Sequence, residues 1–127
     1  MARRLHTRQR VSARLVTLVA PDDRSRTAVA RYLERSGFEV RRPRVNDTAR
    51  TMVWLTDHDR DLSETADAIT AWLGGHGSRR AVVVTSRPVV FRALRETHGR
   101  RLVIVPAPAF GWQIVDALWA THRGDAV

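Results

Sequence analysis

Five short apolar runs, Leu15 to Ala20, Phe38 to Val40, Met52 to Leu55, Ala81 to Val84 and Leu102 to Val105, alternate along this chain with segments of helical period. The runs are rich in β-branched residues and bounded by Pro, Asp or Arg, as strands covered on both faces require. Between them, Ala28, Val29, Tyr32 and Leu33 recur at helical spacing until Ser36 and Gly37 stop the helix. Leu62, Ala66, Ile69, Trp72 and Leu73 form a second stripe, opened by Asp61 with Glu64 three residues on and closed by Gly74 and Gly75. Pro88 opens a third helix through Val90, Phe91 and Leu94, ended near Gly99, and a fourth runs from about Ala109 to His122. This alternation predicts an α/β fold with a parallel sheet between helical layers. One crossover does not fit. Only Pro43 to Arg50 separate the second run from the third, whereas a parallel crossover needs a dozen or more residues. Either the second helix is shortened or missing, or the second strand lies elsewhere.

Composition narrows the chemistry. All 22 basic residues are arginine, and without lysine there is no Schiff base, no lysine general base and no phosphate-reading ammonium. The absence of cysteine removes disulfides, thiolate nucleophiles and cysteine metal sites. A length of 127 residues with 43% hydrophobic content suits one domain with one core. No apolar run approaches the ~18 to 20 residues of a membrane span, and the start from Ala2 to Arg14 has no h-region or cleavage site, so a cytoplasmic protein off the membrane is expected. The net charge of +9 favours polyanions or acidic partners, with strong salt dependence. Arginine in place of lysine, with many Ala and Val, also fits coding by a GC-rich genome, which weakens the arginine count as a nucleic-acid signal. Arg3, Arg4, Arg8, Arg10 and Arg14 precede the first apolar run, which predicts a basic, flexible tail over 1–13 and a domain over 14–127.

From Arg14 to Val40, "RLVTLVAPDDRSRTAVARYLERSGFEV" resembles the first strand, first helix and second strand of a bacterial response-regulator receiver (CheY-like) domain. The resemblance continues more loosely through "MVWLTD", "AVVVTSRP" and "LVIVPAP". It implies a flavodoxin-like three-layer sandwich with sheet order 2-1-3-4-5 and a role in two-component signal transduction. Receivers work through five positions. Aligned from Gly37, the acidic pair that holds magnesium falls on Ala20 and Pro21, with Asp22 and Asp23 one or two places late. The phosphoacceptor position falls on Thr56 or Asp57, and the switch hydroxyl matches Thr85. The lysine before proline becomes Val105 before Pro106, and the aromatic switch becomes Leu102. Aspartyl phosphate forms when metal and lysine offset the charge developing on the transferred group. The resemblance therefore implies a pseudo-receiver that binds no metal or cofactor, is not an enzyme and signals without phosphorylation.

Other constellations are weaker. Asp57, Asp59 and Asp61 alternate as in a calcium loop, but Leu62 stands where the glycine belongs and Ala68 where the closing carboxylate belongs. They suit the amino end of a helix better. His58 lies between two aspartates, whereas His6, His76, His98 and His122 show no ligand spacing. Gly74, Gly75 and Gly77 follow a helix and so make no phosphate cradle.

Four of the eight aromatic residues are tryptophan, and Trp112 and Trp119 share one flank of the last helix, beside a core edge of Gly111, Ile114, Val115 and Leu118. Receivers commonly pair through their fourth helix, fifth strand and fifth helix. Here that surface would carry Phe91, Arg92, Arg95, Leu102, Trp112, Val115 and Trp119, an aromatic and arginine composition typical of a hot spot. The expected partner is a protein or output domain, a second copy of the chain included. Two alternatives stand beside it: a phosphorylated receiver with an acid pocket displaced to Asp22, Asp23 and Asp57, and a basic nucleic-acid-binding protein using the tail with Arg41, Arg42 and Arg44. No reading motif accompanies those arginines, so any nucleic-acid binding should be weak and non-specific.

Overall fold

The computed structural model describes residues 14–45, 47–56 and 61–125, with 122–125 as backbone alone. In chain order these are β1 (Leu15–Val19), α1 (Asp23–Arg35), β2 (Glu39–Arg41), β3 (Thr51–Leu55), α2 (Ser63–Gly75), β4 (Arg80–Thr85), α3 (Arg92–His98), β5 (Leu102–Pro106) and α4 (Gly111–Asp125). Single 3-10 turns, Pro88–Phe91 and Gly99–Arg101, lead into α3 and β5. All strand pairs are parallel, in the order β2-β1-β3-β4-β5, so the sheet is the flavodoxin-like one. The predicted tail, and Asp57 to Arg60 with them His58 and Asp59, lie outside the described residues.

The sheet is buried from both sides because its residues alternate between two cores. Val16, Leu18, Val53, Val82 and Val84 meet Leu33 of α1 and Ile114 and Leu118 of α4 on one face. Met52, Trp54, Ala81 and Val83 meet Ile69, Trp72 and Leu73 of α2, with Phe91 and Leu102, on the other. Helix α1 ends as its sequence suggests. Gly37 takes a φ of 97°, and the amides of Gly37 and Phe38 return to the carbonyls of Glu34 and Leu33, both at 3.0 Å.

The short link between β2 and β3 contains no helix among its described residues. It crosses β1 as a loop held by Asp47, which accepts from Thr17 Oγ1 at 2.6 Å and from the Ala49 amide at 3.0 Å. Ala49 is buried, and Trp54 fills the same side of the sheet with Val19 and Leu62. A bulky side chain and a pinned loop thus cover surface that a helix would otherwise bury.

Helix α4 lies close against α1 because it starts with glycine. A Cβ at Gly111 would come within 2.7 Å of the ring carbons of Tyr32. Gly111→Ala should therefore destabilise the protein by about 1 to 3 kcal/mol in urea unfolding, as overpacking does. Adding Tyr32→Ala should make the glycine substitution nearly silent, and a double-mutant cycle checks this.

Candidate functional site

In an open parallel sheet the crevice lies at the carboxyl ends of the strands, where the strand order reverses. Here that point falls between β1 and β3, beside Ala20, Pro21 and Thr56. Ala20 and Pro21 are half-buried and offer no side-chain ligand. Asp22 is the N-cap of α1: Oδ1 accepts from the Ser25 amide at 2.7 Å and Oδ2 from Ser25 Oγ at 3.2 Å. These bonds, led by the Ser25 amide, hold its carboxyl below the ordinary carboxylate range. Asp23 is exposed and lies 3.5 Å from Arg42. Both carboxylates of the late pair therefore have partners within or beside α1. Among the described residues, no group of three or more His, Asp or Glu could hold a metal ion.

The hydroxyls around the crevice are engaged with backbone. Thr56 Oγ1 donates to the Val84 carbonyl at 2.8 Å, and its amide donates to the same oxygen at 3.1 Å. Thr85 is fully buried, and its Oγ1 accepts from the Arg87 amide at 3.0 Å. Asp57, the expected phosphoacceptor, lies outside the described residues. Val105 is buried in the core under α1 and α4. The strand ends at Pro106, opposite Thr85 in the register, and just beyond it the amide of Ala107 donates to the Thr85 carbonyl at 2.8 Å. No residue from Val105 to Ala107 bears a charge. One cation near the crevice escaped the sequence reading. Arg26 donates from Nη1 to the Leu18 carbonyl at 2.7 Å, beyond the last residue of β1 that pairs with the short β2.

The expected interaction face is not assembled as such. Phe91 and Leu102 are fully buried in the core under α2, so neither reaches a surface. Arg92 and Arg95 are exposed on α3. Trp112, Val115 and Trp119 belong to α4, across the sheet from α2, and α4 packs beside α1 on the same core. Trp119 stacks at 46° on Phe38 with centroids 5.3 Å apart, and Gly111 meets Tyr32. Exposed aromatic area lies along α4, where Trp112 is 58% and Trp119 42% exposed, and at Phe110 just before it, 71% exposed. Helical period places the two tryptophans on one stripe but cannot say which neighbour the stripe adjoins.

No protein-family model matches this chain, and no curated protein matches its sequence. Among solved structures it is similar to a response regulator protein from Burkholderia pseudomallei, described with a phosphorylated aspartic acid, calcium ion and citrate. The TM-score is 0.62 at 17% sequence identity, over 89% of this chain and 71% of that one. The fold is therefore receiver-like.

The capping role of Asp22 can be read from pH dependence. A carboxyl held low in the folded state stabilises above its unfolded pKa, and that stability is lost as pH falls through the lowered folded value. Asp22→Ala should lower the Tm at neutral pH, with the gap from wild type closing on acidification. A gap that persists in acid would mean that the charge of Asp22 does not stabilise the helix.

Proposed function

We propose that this chain is a degenerate receiver: a cytoplasmic, non-enzymatic signalling domain that binds a protein partner or output domain without phosphorylation. The observation that carries this reading is the composition of the crevice. Ala20 and Pro21 stand at its β1 side, Asp22 is taken by the helix cap, and the end of β5 is apolar. Phosphoryl transfer to a carboxylate relies on a metal and a cation to neutralise the migrating group, and the chain has no lysine to serve. The same engagement of Asp22 and Asp23 weighs against an acid pocket displaced to that pair. Among the described residues no helix is long and apolar enough to cross a membrane.

A two-dimensional NMR comparison with and without beryllofluoride at millimolar magnesium tests the reading. No saturable shift is expected. Saturable shifts centred on Thr56, Asp57 and Thr85 would make the chain a phosphorylatable receiver.

We assign partner binding to the α1–α4 flank, where Trp112 and Trp119 keep exposed area on α4 and Arg35 lies over the Tyr32 ring on α1. Trp112→Ser should change stability by less than about 0.5 kcal/mol, as expected at an exposed site. Trp119→Ser should cost about 1 kcal/mol or more, because it removes a ring contact with Phe38. Urea unfolding of both variants checks the division: equal, large losses would place both rings in the core and move binding elsewhere.

A further inference from the structure

At the opposite end of the sheet, where β3 and β4 begin, a cleft of about 230 Å³ opens between the segment Asp47 to Arg50 and the turn from His76 to Arg79. Arginines surround it. Arg50 is exposed just before β3. Arg79 stacks over the Trp72 ring at 4.1 Å and donates from Nη1 to the Trp72 carbonyl at 3.2 Å. Behind them, Arg101 Nη2 donates to the carbonyls of Leu73 and His76 at 2.5 and 2.7 Å, and Arg80 opens β4 with 8% of its surface exposed. The one carboxylate in the lining, Asp47, has both oxygens engaged by Thr17 and Ala49. Carbonyls at the end of α2 account for the placement of Arg79 and Arg101, but not for Arg50 on the facing wall. The guanidinium groups lie within electrostatic range of one another: burial first, then Arg101 and Arg50, push the pKa of Arg80 down.

We propose that this cleft binds a small polyanion of the phosphate-ester class, with Arg50 and Arg79 clamping it from the two walls. Guanidinium forks match phosphate oxygens bidentately, and clustered cations without a free carboxylate between them gain most from a ligand carrying more than one negative charge. Ser78 and Thr48 bring hydroxyls to the same lining, and Ser78 Oγ lies 2.8 Å from His76 Nδ1. A cleft of about 230 Å³ has room for only a small anion, which favours a small molecule over a nucleic-acid backbone lying on a convex surface. It lies at the far end of the sheet from the crevice, so its failure would leave the degenerate-receiver reading untouched.

The test is a titration of ¹⁵N-labelled protein with inorganic pyrophosphate in about 150 mM salt, where surface charges are well screened. Saturable shifts are expected at the amides of His76, Ser78 and Arg79 and at the Trp72 indole N–H, which donates to the Arg80 carbonyl at 3.0 Å. Arg50→Gln should weaken binding about tenfold, the worth of one hydrogen bond to a charged group. Arg79→Gln should do the same, and Arg92→Gln, which removes an equal charge elsewhere, should change it less than about twofold. The proposal is overturned by unsaturable shifts spread over the arginine surface, or by equal weakening from Arg92→Gln. It is also overturned if a single-stranded oligonucleotide occupies the same amides in preference to pyrophosphate, which would make the cleft part of a nucleic-acid surface.

Discussion

The hydrogen bond from Thr17 to Asp47, 2.6 Å long and partly buried, sits where the fold has least material. A right-handed crossover from β2 to β3 must pass over β1, and helices are the usual means of burying the surface crossed. Here a link too short for that helix makes the passage. A hydroxyl left in the middle of β1 would lack a partner, and a carboxylate in the link would be costly to bury alone. Each resolves the other's difficulty. The bond fixes where the link crosses, which in turn fixes where β3 starts and how Trp54 fills the remaining space.

A similar economy governs the other end of the sheet. The end of β1 needs a group to start α1, and a receiver needs carboxylates within reach of a metal. One side chain cannot point both ways. In this chain Asp22 serves the helix, accepting from Ser25 by amide and hydroxyl. The hydroxyls of Thr56 and Thr85 likewise bind neighbouring backbone. What remains at the crevice is a strand-to-helix corner at which Asp22, Thr56 and Thr85 bind the fold itself.

The parallel sheet was legible in the sequence because strands show as β-branched runs alternating with helical stripes, whereas its order came only with the receiver resemblance. Eight residues cannot hold a full crossover, but that count alone left a shortened or missing helix and a misplaced second strand both open. The capping role of Asp22 was hidden, since an aspartate after a strand looks the same whether it faces a metal or a helix amide. Phe91 and Leu102 were misplaced for a related reason. Both lie in segments that border a surface in the fold, but the side of the sheet to which each side chain turns depends on register, which helical period does not report. The arginine-lined cleft was illegible because Arg50 and Arg79 are far apart in the chain and meet only through the pairing of β3 with β4.

The brevity of β2 bears on how the protein behaves in company. Strands at the margin of a sheet carry unpaired amides and carbonyls, and a long apolar margin invites another chain to extend the sheet. Here that margin is only Glu39–Arg41, and its two charged ends are tied together at 3.0 Å. An approaching strand would find few backbone groups to pair with and would have to desolvate an ion pair to reach them. The far margin, β5, closes with Pro106, which has no amide hydrogen to offer. A parallel sheet forms slowly and spends time partly built. In this chain the β2 side discourages polymerisation by sheet extension, and on the β5 side Pro106 withholds one amide from it.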